Sequence, residues 1–168
     1  MVIVGVVAVI TIAVTSYLYL GKQEQRFLDR LDDTSFQEFV FKNTEGDTVQ
    51  IHPEETTVLL FWATWSDRSL DALYDLYRWH EENPGYAVIA AYVKDAPEFA
   101  REHDREGRDR YRLLDGTPVY QDLRIPGVPT TIIVDEQGMV TGTEIGTSNH
   151  PIWQTLPSER KREQAEVK

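Results

Sequence analysis

The chain's pattern predicts an α/β fold, a mixed sheet with flanking helices, preceded by one N-terminal transmembrane helix. Three observations carry that prediction. Residues 1–20 contain no charged side chain. Two unbroken apolar runs, Val58-Leu59-Leu60-Phe61-Trp62 and Tyr86 to Val93, read as strands buried on both faces. Each is followed by a helical pattern, and that alternation makes βαβ units with a parallel core. A further strand, Thr130 to Val134, is joined by the turn Asp135-Glu136-Gln137-Gly138 to an antiparallel partner over Met139 to Ile145, which makes the sheet mixed.

The N-terminal segment predicts an anchor over residues 1–21. As a helix, residues 1–20 span ~30 Å, enough for a hydrocarbon core. A cleaved signal peptide is the rival, but it calls for a basic start and small residues before the cut. Here the run ends on Tyr17, Leu18, Tyr19 and Leu20, and the tyrosines suit the headgroup level. Residues 22–34 are charged, with Phe27, Leu28 and Leu31 at helical spacing, and are expected to form a helical stalk. Lys22, Arg26 and Arg30 follow the segment and nothing basic precedes it, so a count of positive charge alone puts the domain in the cytoplasm.

At 168 residues the chain suits one domain plus an appendage. Its formal charge of −11 lies entirely after residue 20. Such a surface excludes binding of nucleic acid or anionic lipid by bulk electrostatics. Acid excess with few lysines fits a high-salt habitat, and simple solubility explains it equally.

The expected domain covers residues 35–150. Phe36, Phe39, Val40 and Phe41 lead into the turn cluster Asn43-Thr44-Glu45-Gly46-Asp47, followed by Val49 and Ile51, a β-hairpin signal. A helix starts near Ser66 or Asp67, presents Leu70, Leu73, Tyr74, Tyr77 and Trp79, and stops at Asn83-Pro84-Gly85. Residues 96–106 form a charged, exposed helix ending near Gly107, and Val119 to Leu123 a short one. Residues 151–168 are expected to be a polar C-terminal tail.

Between the first apolar run and its helix lies Phe61-Trp62-Ala63-Thr64-Trp65-Ser66-Asp67-Arg68-Ser69. The run resembles the active-site turn of thioredoxin-fold proteins of the membrane-anchored TlpA type, whose pattern is Phe-Trp-Ala-Thr-Trp-Cys-x-x-Cys. Ser66 and Ser69 occupy the positions equivalent to the redox cysteines. The hairpin also resembles the opening of TlpA-like domains. A second motif, Gly127-Val128-Pro129-Thr130-Thr131 followed by Asp135-x-x-Gly138, resembles the family's cis-proline loop, and together the motifs cover roughly residues 35–147. The resemblance implies a cis Val128–Pro129 bond facing the serine turn. It also implies a groove of Trp65, Ser66, Ser69, Val128 and Pro129, where a protein or peptide pairs like an added strand. It places the domain on the extracytoplasmic side, against the charge count, and we follow the resemblance: a single-pass protein of the cell membrane.

The family's chemistry is thiolate attack on a disulfide. This chain has no cysteine, and serine supplies no thiolate near neutral pH. The resemblance also places carboxylates where this chain has Leu60 and Ala72, so the proton-handling groups are missing as well. One of the two serines capping the helix explains it without function, since serine is a favoured N-cap, and Asp67 and Asp71 suit the same helix start. A serine nucleophile needs a base within reach, and His52, His80, His103 and His150 are scattered. His80 falls ~16 Å along the helix from Ser69. No cysteine and no close histidine pair means no ligand cluster for zinc or copper, and no cofactor is expected. Trp62 reads as core and Trp65 as an exposed interface anchor.

The resulting expectation is a membrane-anchored module without intrinsic redox activity, binding or scaffolding in extracytoplasmic protein maturation, with no catalytic residue. The alternative is an accessory of a thiol–disulfide or cytochrome maturation system that presents substrates to an active paralogue. A pure spacer with an empty groove is the third possibility.

Overall fold

The computed structural model describes residues 2–32, 34–51, 54–104 and 112–157, with the side chains of 2–10 and 12–14 left out. Seven strands form one sheet in the order β2-β1-β5-β4-β3-β6-β7. They are β1 (Val40–Lys42), β2 (Thr48–Gln50), β3 (Thr57–Trp62), β4 (Ala87–Tyr92), β5 (Arg112–Asp115), β6 (Thr130–Val134) and β7 (Val140–Ile145). The helices are α1 (Val2–Leu31), α2 (Asp67–Glu82), α3 (Pro97–His103) and α4 (Thr117–Asp122). Short 3₁₀ turns sit at Phe36–Glu38 and Ile152–Thr155.

The hairpin forms where the turn residues predict it. Asn43 Oδ1 accepts the N–H groups of Glu45 and Asp47 at 3.0 and 2.8 Å, and Gly46 takes φ +92°. That conformation favours glycine. β1 and β2 then pair antiparallel.

β3 is buried along its whole length, as its apolar run predicts. It pairs parallel with β4 on one side but antiparallel with β6 on the other. The parallel core is therefore β5-β4-β3, with antiparallel strands on both flanks. The pleat sorts β3 into two cores. Leu59 and Phe61 join Phe36, Phe41, Ile89 and Ile132 on one face, while Val58, Leu60 and Trp62 join Leu73, Leu76 and Val88 on the other.

α2 packs through Ala72, Leu73, Leu76 and Tyr77, with Leu70 and Trp79 partly buried beside them. Asn83 ends it, and its side chain donates to the Trp79 carbonyl at 2.8 Å. α3 stops at His103, earlier than expected; Gly107 lies outside the described residues. β5 is a strand that the pattern does not announce. Its four residues are Arg-Leu-Leu-Asp with only Leu114 fully buried, and pairing with β4 supplies what periodicity lacks.

The segments on either side of the expected domain pack onto it. α1 is one helix through Leu31, and Phe27 and Leu31 are 0% and 3% exposed. They lie in the same core as Leu123 and Ile125, and Arg30 Nη1 donates to the Leu123 carbonyl at 2.6 Å. The end of the segment read as a stalk is thus docked. At the C-terminus, Trp153 is buried in the second core and the Tyr86 hydroxyl donates to the Pro157 carbonyl at 2.6 Å. That part of the segment read as a tail is folded, and residues 158–168 lie outside the described residues. No helix among the described residues is long and apolar enough to cross a membrane; the side chains of most of the apolar run are outside that description.

Candidate functional site

The register of the sheet builds the site. Phe61 pairs with Thr130, so the chain leaving β3 and the chain entering β6 meet at one end of neighbouring strands. The first is the turn Ala63–Ser66 and the second the loop Gly127–Pro129. The Val128–Pro129 bond is cis. Thr130 Oγ1 donates to the Gly127 carbonyl at 2.8 Å, and the Gly146 N–H donates to the Pro129 carbonyl at 2.8 Å. The N–H and carbonyl of Val128 have no partner among the described residues. They form a short unpaired backbone edge beside the turn.

On the turn, Ser66 is the N-cap of α2, in extended conformation, and its hydroxyl accepts the Ser69 N–H at 3.3 Å. Its carbonyl accepts the N–H groups of Ser69 and Leu70 at 2.9 and 3.1 Å. The local reason is the one expected: Ser, Asp and Arg opening a helix with an N-terminal acid. Ser69 differs from its neighbour. It is fully buried and its Oγ has no partner among the described residues. A buried, unsatisfied hydroxyl is unfavourable by about 1–3 kcal/mol, whereas a thiol there would behave as a small apolar group. The site fits a sulfur better than the oxygen it holds.

Trp65 is 62% exposed, whereas Trp62 is fully buried. The turn that carries Trp65 is tied to the loop after β4 by Asp95. One oxygen of this carboxylate accepts both the Thr64 N–H and the Thr64 hydroxyl, at 2.8 and 2.6 Å. Sequence reasoning missed Asp95, because it lies 31 residues away with no shared motif. Leu60 and Ala72 are 0% and 5% exposed in the same apolar core. A carboxylate at either place would have to be desolvated.

The chemistry available is limited. His80 Nε2 lies 2.7 Å from the Tyr86 carbonyl and His103 Nδ1 2.9 Å from the Phe99 carbonyl, both engaged away from the turn. His150 is exposed, and His52 lies outside the described residues. The structure brings Ser66 and Ser69 together on one turn and places Val128 and Pro129 at the adjoining strand end. What it offers is an exposed indole and a free backbone edge.

This architecture is a thioredoxin-like fold. No family model matches the chain, and no curated protein does. Solved structures do. The chain is similar to MTB dsbF, a structure in mixed oxidized and reduced forms, at 17% identity and a TM-score of 0.60, covering 80% of this chain and 98% of that one. It resembles a putative thiol:disulfide interchange protein DsbE from Chlorobium tepidum at 16% identity and a TM-score of 0.56, covering 79% and 94%. A thiol-disulfide oxidoreductase from Bacteroides fragilis matches at 16% and 0.56, covering 80% and 100%. At such identities the likeness establishes the fold.

Proposed function

We propose that this chain is a cysteine-free member of the TlpA-like group that binds protein or peptide segments and performs no thiol–disulfide chemistry. The observation that carries the reading is the exposed Trp65 beside the unpaired Val128 edge, on a turn whose sulfurs are replaced by Ser66 and Ser69. An extended segment adds to such an edge through main-chain hydrogen bonds, and an aromatic anchor supplies buried area. Pro129 donates no N–H and its carbonyl is held by Gly146, so recognition falls on Val128.

The same reading places the domain outside the cytoplasm on an N-terminal anchor. Tyr17, Leu18, Tyr19 and Leu20 are 79%, 58%, 61% and 55% exposed on α1, an apolar run that water disfavours and a membrane or partner covers. A second reading is favoured by the company the fold keeps: solved structures of similar fold are named as thiol:disulfide interchange proteins. In it the chain presents substrates to an active paralogue in disulfide or cytochrome maturation.

A photoreactive residue in place of Ser66, activated in native membranes after a carbonate wash, tests these together. The protein should stay in the pellet and crosslink to a discrete partner, and Trp65→Ala should abolish capture while barely changing the melting temperature. Release by carbonate would refute the anchor. Capture that ignores Trp65 would refute the groove and favour the spacer.

A further inference from the structure

Among the described residues, Lys94 and Arg124 are the non-glycine residues with positive φ, both at +51°. That conformation is strained for a side chain with a Cβ, and glycine or asparagine is its usual occupant. Both residues carry a long cation, and both lie at the end of the sheet that holds the groove. Backbone strain of this kind gathers at functional sites.

Each has a local origin. Lys94 follows β4, where the Val93 N–H donates to the Trp62 carbonyl and the Lys94 N–H to Thr117 Oγ1, both at 2.9 Å. Its neighbour Asp95 holds Thr64, so Lys94 and Trp65 flank the same contact. Arg124 follows Leu123, the C-cap of α4. The Ile125 N–H donates to the Tyr120 carbonyl at 3.0 Å and the Arg124 N–H to that of Gln121 at 3.1 Å. This is the Schellman pattern, in which glycine is the usual left-handed residue. A cation there suits the helix dipole, but the dipole gives no account of Lys94.

Both side chains are exposed, and neither has an ion-pair partner among the described residues. Lys94 Nζ lies 4.9 Å from the centre of the Tyr120 ring, which holds the ammonium over α4. Tyr120 and Val128 pack against the same core, and Arg124 precedes Val128 on the same loop. The carboxylates at this end do not cancel the two cations. Both Asp95 oxygens accept N–H or O–H donors, and Asp115 Oδ1 accepts the Thr117 N–H. Asp67 and Asp122 reach neither cation to ion-pair distance.

We infer that Lys94 and Arg124 are cationic arms that select an acidic peptide segment, its carboxylates flanking the residue paired with Val128. The inference rests on the groove proposed above. Each arm donates charge-assisted hydrogen bonds to a carboxylate. The net charge of −11 repels acidic segments from the rest of the surface, which confines them to this end.

The test separates the arms from the groove. The isotope-labelled full chain in non-ionic micelles is titrated with an octapeptide library that fixes glutamate at alternate positions. Glutamine and lysine versions of the library serve as controls, and the Trp65 indole and Val128 amide resonances are followed. The glutamate library should shift both saturably and bind about tenfold more tightly than the glutamine library, with the lysine library weakest. Lys94→Asn with Arg124→Asn, which suits the left-handed backbone, should erase that preference. The glutamine library should bind this variant as before, and its melting temperature should stay close to that of the parent. Raising the salt concentration should narrow the same preference in the parent. Equal binding of the glutamate and glutamine libraries, tightest binding of the lysine library, or a preference that survives the double variant or high salt would overturn the arms and leave the groove standing. No saturable shift with any library would overturn the groove and the arms with it.

Discussion

Ser66 and Ser69 are the same residue type on one turn, three positions apart, yet their surroundings give them opposite energetic signs. The Ser66 hydroxyl is a second acceptor, beside the Ser66 carbonyl, for the Ser69 N–H at the start of α2, so Ser66→Ala should destabilise the fold by about 0.5 kcal/mol, the low end of the capping range. The Ser69 hydroxyl is buried with no partner among the described residues, so Ser69→Ala should stabilise the fold by about 1 kcal/mol. Thermal unfolding of the two variants checks this, with melting temperatures expected to move a few degrees in opposite directions. A matching fall in both would mean that Ser69 does have a partner.

Two elements carry the larger consequences. The β3–α2 turn sets Ser66 and Ser69 three positions apart at a helix start, the first partly exposed and the second buried. Ser66→Cys combined with Ser69→Cys should close an internal disulfide under mild oxidant, since cysteines at that spacing reach the ~5.5 Å Cα separation needed. The double variant should then show slow dithiol exchange, held back because Asp67 and Asp71 oppose the thiolate, and the parent should show none. A folded double variant with two free thiols after oxidation would show that the turn is displaced. The other element is the end of α1. Phe27 is fully buried in the core, so Phe27→Ala should destabilise the domain by about 3–5 kcal/mol. Denaturant unfolding of a chain starting at residue 22 and one starting at residue 35 should differ by a similar margin. Equal stability of the two would show that α1 contributes no packing.

At the level of the whole molecule, burial of polar aromatics sets an alkaline limit. Burial, reinforced by the nearby Asp115 carboxylate, pushes the Tyr92 hydroxyl up to about 12, and burial raises that of Tyr120 as well. In the unfolded chain tyrosine ionises near ~10. A group whose folded pKa is raised contributes stability that is complete below the unfolded value and is lost as pH rises through the folded one. Stability should therefore be flat to about pH 10 and fall between there and about pH 12. Tyr92→Phe should blunt that fall, as read by denaturant midpoints across the range. An unchanged alkaline slope in the variant would assign the limit to other groups.

Much of this molecule is legible in local pattern. The hairpin follows from Asn43 and Gly46, the central strands from unbroken apolar runs, and α2 from Ser66 at one end and Asn83 at the other. The site residues are legible in part, through two motifs about 60 residues apart. These features depend on side chains and turns within a few residues of one another, which a sequence displays directly. What depends on distance along the chain was decided only by tertiary packing. β5 becomes a strand because β4 offers it an edge. Asp95 holds the serine turn from the loop after the neighbouring strand β4. Trp153 and Phe27, from segments outside the expected domain, are buried because the two faces of the sheet need covering. The antiparallel pairing of β3 with β6, which brings Val128 to the turn, follows from the route of the chain after α4. Local sequence states which residues prefer a strand, a cap or a turn; only the folded chain determines which of them face one another, because the burial that selects those partners exists only after collapse.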